Sequence, residues 1–133
     1  MSPVTFCALW VVAITVSGVA SSAVGVPSIT VDYSIVNDLT GEPFKYSIQV
    51  SVPKGSVLLD VMKEAQKMNP KDFSFQTEST SWGPFVATIN HLSGSANGKT
   101  YWQFFSGTFV LDKGVGTYVP KDGEHIIAIF SKY

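Results

Sequence analysis

The sequence predicts an α+β domain: a mostly antiparallel sheet carrying one helix, β-grasp-like in its order. Three observations predict it. Two successive runs, Ile29–Asn37 and Phe44–Val52, alternate apolar and polar residues with a period of two, as strands with one buried face do. A single later run, Leu58–Met68, carries apolar residues at helical spacing instead. Beyond it, short runs rich in β-branched and aromatic residues are separated by Gly- and Pro-bearing turns. Two strands, a helix and then more strands give a layered domain in which the helix stripe packs across one sheet face.

The first residues are expected to lie outside the fold. Phe6 to Val16 is almost wholly apolar, and small residues follow at Ser17, Gly18, Ala20, Ser21, Ser22 and Ala23. A short apolar run ending in small side chains reads as a secretory signal peptide. It is too short for a membrane span, which takes roughly 20 apolar residues. The expected division is therefore a signal over residues 1–23, with cleavage after Ala23 or Ala20, and a single domain over 24–133. The one cysteine, Cys7, falls in the signal, so the domain has to rely on its hydrophobic core.

The elements then follow in order. Ile29–Asn37 and Phe44–Val52 pair as a hairpin across the turn-rich Asn37–Pro43. Pro53-Lys54-Gly55 stops the second strand, and Ser56 is the expected helix N-cap, because a hydroxyl can accept an orphan first-turn amide. Leu58, Val61, Met62, Ala65 and Met68 form the buried stripe; Asp60, Lys63, Glu64 and Lys67 form the solvent face. Asn69-Pro70 ends the helix. Further strands are expected at Phe73–Thr77, Phe85–Asn90, Tyr101–Phe105, Thr108–Leu111 and His125–Phe130, with Leu92–Lys99 as a loop.

Composition narrows the function classes. The formal net charge is −1 and every basic residue is a lysine, which argues against nucleic acid and phosphate clamps. The two histidines, His91 and His125, with scattered carboxylates do not supply a zinc ligand set. No nucleophile elbow, phosphate loop or paired-carboxylate motif stands out, so the chain does not read as an enzyme. Binding is better supported. Trp82, Phe85, Tyr101, Trp102, Phe104, Phe105, Phe109 and Tyr118 crowd into one stretch. In Tyr101-Trp102-Gln103-Phe104-Phe105, Trp102 and Phe104 share one strand face and Tyr101, Gln103 and Phe105 the other. Either the strand is buried on both sides, or one aromatic pair forms a platform for a flat, mostly apolar ligand whose rim a few amides fix.

Several segments resemble the C-terminal β-domain of the intrinsic factor, transcobalamin and haptocorrin family of cobalamin carriers. They are Gly55–Gln66, Gly83-Pro84-Phe85-Val86 with its strand to Asn90, Tyr101–Gly107, Gly114-Val115, Tyr118-Val119-Pro120 and Glu124-His125-Ile126. The resemblance implies that cobalamin is a carried ligand rather than a catalytic cofactor. Position by position, it puts the corrin contacts at Phe104, Leu111, Val86, Trp102, Gln103, Phe85 and Tyr118. The family's large helical domain has no counterpart in this sequence, so the implied site is a half-site with lower affinity than a two-sided clamp.

Two readings stay open. One is a secreted, extracellular small-ligand protein that binds or transports cobalamin or another corrinoid. The other is a secreted structural or interaction module that keeps the fold without the vitamin site. Its aromatic face would then contact a protein partner or a second copy of the chain. Neither reading involves nucleic acid or a membrane span.

Overall fold

The structure is a computed structural model that describes residues 27–133; the expected signal segment lies outside the described residues. Among the described residues the strands are β1 (Ser28–Asn37), β2 (Phe44–Pro53), β3 (Phe75–Thr80), β4 (Gly83–Ile89), β5 (Leu92–Ser93), β6 (Thr100–Ser106), β7 (Phe109–Val110) and β8 (His125–Lys132), with one helix, α1 (Leu58–Met68), after β2. They form a five-stranded sheet, β2-β1-β8-β6-β7, and a three-stranded sheet, β3-β4-β5. All pairings are antiparallel except β1 with β8, which is parallel. The predicted α+β architecture is the one observed.

The alternation in β1 and β2 does what period-two patterning should. Ile29, Val31, Tyr33 and Ile35 pair with Val52, Val50, Ile48 and Tyr46 across the hairpin. Residues directly opposite share a face, so this row continues through Ile126, Ala128 and Phe130 of β8 to Trp102 and Phe104 of β6. Helix α1 lays Leu58, Val61, Met62 and Ala65 onto that face, all fully buried. Met68, expected in the stripe, is exposed, because the helix ends there and turns away at Asn69. The hairpin turn is tied by buried Asn37, which donates to the Thr40 hydroxyl (2.7 Å) and the Glu42 carbonyl (3.1 Å).

Several local expectations are corrected. The N-cap is Val57, not Ser56, and a valine cannot accept an amide through its side chain. Asp60 reaches back to the Val57 N–H (3.2 Å), while the Leu58 and Leu59 amides donate to the carbonyls of Tyr118 and Val115, both at 2.8 Å. Tertiary contacts thus satisfy the first-turn donors that a capping serine would otherwise serve. β3 starts at Phe75 rather than Phe73, which is buried against Tyr33 with ring centroids 5.5 Å apart. The expected Leu92–Lys99 loop contains the short strand β5, entered through Asn90 and His91 at φ 52° and 63°. Two successive positive φ angles are those of the tight hairpin turn that matches strand twist.

Candidate functional site

A groove of about 310 Å³ lies between the two sheets. One wall is Pro84, Phe85 and Val86 of β4. The floor is Tyr101–Phe104 of β6. The other wall is Val110 and Leu111, followed by Lys113, Gly114 and Val115. Trp102, Val86 and Val115 are buried at its base, whereas Phe85 and Val110 stand on its rim at 47% and 55% exposure. Phe104 and Leu111 are partly buried against the core and face each other across β6 and the chain leaving β7, where the Leu111 amide donates to the Phe104 carbonyl (3.0 Å).

That bond also shows which way the strand edge points. The Thr100 amide and carbonyl pair outward with Ser95, at 2.9 and 3.1 Å, and the Phe104 carbonyl pairs outward with Leu111. Backbone groups alternate sides along a strand, so Trp102, midway between them, also turns its N–H and C=O away from β8 and toward the groove. The groove therefore offers an apolar base with a peptide donor and acceptor beside it, and Lys113 as a cation on the rim. A flat, largely apolar ligand with polar groups at its periphery suits this arrangement. A larger depression, about 720 Å³, runs between Pro27–Ile29, Lys54–Gly55 and Val119–Asp122, but no aromatic side chain lines it.

Six of the seven residues singled out in the sequence line this one groove: Phe104, Leu111, Val86, Trp102, Gln103 and Phe85. Their roles differ. Trp102 is a core side chain at 4% exposure, its indole N–H donating to the Leu92 carbonyl (2.9 Å) and its ring lying 5.1 Å from Phe130 and 6.4 Å from Phe44. It is a floor, not a free platform. Gln103 pairs with Ile129, so its side chain alternates to the sheet face opposite that of Trp102 and Phe104. The shared face of Trp102 and Phe104 is the helix-bearing face of the sheet, and only its outer end, at Phe104, opens to the groove.

Tyr118 lies outside the groove. Its hydroxyl donates to the Glu124 carboxylate, which also accepts from the Ser106 hydroxyl (2.5 Å) and the Lys121 amide (2.7 Å). Burial works to raise the Glu124 carboxyl, but these hydrogen bonds outweigh it and hold the group below its ordinary range. Burial and the Glu124 contact push the Tyr118 phenol up. Pro84, Tyr101, Val110, Lys113, Gly114 and Val115 also line the groove without having been picked as contacts. Gly114-Val115 stood out only as a motif, and nothing in the sequence marks a lysine as rim-facing.

The remaining polar cluster is on the opposite sheet face. His125 Nε2 lies 3.0 Å from Ser34 Oγ, which lies 2.8 Å from Ser47 Oγ. Ser34 is 2% exposed and engaged on both sides, so the pair does not present a nucleophile to solvent. Among the described residues no group of three or more metal-ligating side chains converges, and no helix is long and apolar enough to cross a membrane.

Residues 55–132 match the family described as a domain of unknown function, DUF4430. The chain is 50% identical over 108 residues to human cobalamin binding intrinsic factor, covering 80% of this chain and 26% of that protein. It is 42% identical over 105 residues to human transcobalamin-1, covering 79% of this chain and 23% of that protein. The fold superposes on the crystal structure of haptocorrin in complex with Cbi with a TM-score of 0.73 and 41% identity, covering 80% of this chain and 26% of haptocorrin. The chain thus spans about a quarter of the length of these relatives. It belongs to the DUF4430 family, and its domain is of the type that forms the C-terminal domain of intrinsic factor, transcobalamin-1 and haptocorrin.

Proposed function

We propose that the protein is a secreted, extracellular small-ligand binder whose groove takes one face of cobalamin or a related corrinoid. The observation that carries this reading is the meeting of Phe104, Leu111 and Val86 around an open strand edge. The chain that builds it is similar to a protein named for binding cobalamin and to haptocorrin in complex with Cbi. In this reading residues 1–23 are a signal peptide, 24–133 a single binding domain, and the activity is binding rather than catalysis. The mass of the protein recovered from the medium of expressing cells tests the cleavage point.

The binding test is a titration with cyanocobalamin and hydroxocobalamin, followed by the corrin absorption bands and by tryptophan quenching. Trp102 under the groove is the reporter, and Trp82→Phe removes the signal of the exposed indole. Saturation at micromolar ligand or below supports the reading, a range a one-sided site can reach without a second domain. No response at millimolar ligand sinks it.

One observation favours a second reading, a protein-interaction module. Trp82, Phe109, Val110 and Phe85 are 94%, 77%, 55% and 47% exposed. Phe85 and Val110 share the groove rim, and a contiguous exposed apolar patch marks an interaction surface. A stable dimer in sedimentation that dissociates on Phe109→Ser, with no corrinoid response, would establish it.

A further inference from the structure

We propose that Glu124 is a positioning residue for the groove: its carboxylate is the latch that holds the Leu111–Pro120 segment against α1 and β4 and so sets the position of one groove wall. The affinity arm of the test rests on the corrinoid reading above; the exchange arm does not.

Between Leu111 and Pro120 the chain joins no strand. It is fastened at one end by the Leu111 amide on the Phe104 carbonyl (3.0 Å) and at the other by the Tyr118 hydroxyl on Glu124. Gly114 and Val115, between those fastenings, line the groove. The same stretch presents its Val115 and Tyr118 carbonyls to the Leu59 and Leu58 amides. Its Gly116 runs so close to β4 that an added Cβ would lie 2.9 Å from Pro84 Cδ and Cγ. One carboxylate at the start of β8 therefore joins the end of β6 through Ser106, the segment through Tyr118 and its own turn through the Lys121 amide. Removing its charge weakens three hydrogen bonds at once, and charge-assisted bonds are the stronger kind.

The charged and titratable groups around it come from every neighbouring element. The segment contributes Tyr118 and Asp112, and the turn contributes Lys121 and Asp122. β6 contributes only Ser106. β1 contributes Asp32, whose amide donates to the Glu124 carbonyl (2.9 Å), and β8 contributes His125, whose ring is engaged by Ser34. Lys121 favours the ionised carboxylate. Acid protonates Glu124 and removes an acceptor, so the latch is expected to loosen below the ordinary carboxyl range and to stay closed above it.

The experiment compares the wild-type protein with Glu124→Gln and Tyr118→Phe by site-resolved hydrogen exchange and by cyanocobalamin titration from neutral to acidic pH. Expected for both variants is at least about tenfold faster exchange at the Leu58 and Leu59 amides, with Val61 protected as in wild type. Wild-type affinity should fall as pH drops, whereas Glu124→Gln binds about tenfold more weakly at neutral pH with a flat profile. Wild-type exchange at Leu58 and Leu59 in both variants overturns the latch. Faster exchange there with unchanged affinity overturns its role in the groove. If the wild-type protein binds no cyanocobalamin, the corrinoid reading falls and the exchange rates alone decide the latch. Tyr118→Phe deletes one hydrogen bond while leaving the carboxylate, which keeps the test decisive if Glu124→Gln does not fold.

Discussion

The two sides of the molecule are built differently. On the β1–β2–α1 side, ten consecutive cross-strand pairs join two long strands, and Val31, Ile35, Val50, Leu58, Val61, Met62 and Ala65 have no solvent exposure. On the groove side, β5 and β7 are two residues each, apolar side chains stand on the rim, and the Leu111–Pro120 wall is held by a few carbonyl contacts and one carboxylate. The first side derives stability from buried area and a continuous ladder. The second leaves backbone groups and apolar surface uncommitted, which is what a binding site needs and a core cannot tolerate.

Trp102 straddles this division, and its replacement is the largest test of it. Trp102→Ala is expected to cost about 3–5 kcal/mol in urea unfolding, the range for a buried aromatic truncation, because it leaves a cavity and deletes the indole's hydrogen bond to the Leu92 carbonyl. A loss under about 1 kcal/mol would place Trp102 with the site rather than the core. Leu58→Ala, on the well-packed side, should cost about 2–5 kcal/mol by the same assay. Its effect on cyanocobalamin affinity should be no more than the unfolded fraction explains.

Smaller substitutions sharpen the contrast. Gly116→Ala forces a Cβ to 2.9 Å from Pro84 and should displace the groove wall, costing about 1–3 kcal/mol and weakening cyanocobalamin binding more than it lowers stability. Phe104→Ala and Leu111→Ala, both partly buried, should lower affinity about tenfold or more while leaving a cooperative unfolding transition. Trp82→Ala, at 94% exposure, should change stability by less than about 0.5 kcal/mol.

The pH responses separate the two sides as well. Burial raises the Tyr33 phenol, so its contribution is complete below its ordinary value of 10.0 and is lost as pH rises beyond it. Glu124 is lowered, so its contribution is present above the ordinary carboxyl range and is lost on acidification. Alkaline unfolding should accordingly be reduced in Tyr33→Phe, and acid loosening in Glu124→Gln, each read from the pH dependence of the urea midpoint.

What could be read from the residues alone follows these same lines. Period-two alternation located β1 and β2, and the helical stripe located α1 to within a turn, because burial of one face is written into residue order. Both misses lie at the helix ends: Met68 is exposed because the chain turns away at Asn69, and the Ser56 cap is displaced because the Val115 and Tyr118 carbonyls, from far along the chain, take the first-turn amides. Trp102 shows the limit most plainly: alternation gave its sheet face correctly but not whether that face is covered, which depends on Phe44, Phe130 and the Leu92 carbonyl. The resemblance supplied six residues that line one groove. The seventh, Tyr118, does not line it, and its hydroxyl bonds the Glu124 carboxylate instead. The sequence by itself determined which segments extend or coil, and the one hairpin of adjacent strands, since those choices depend on neighbours within a few residues. The tertiary structure alone decided which aromatic is floor and which is rim, and which lysine and open strand edge border the groove. Those choices depend on contacts between residues distant in the chain, whose pattern no local spacing encodes.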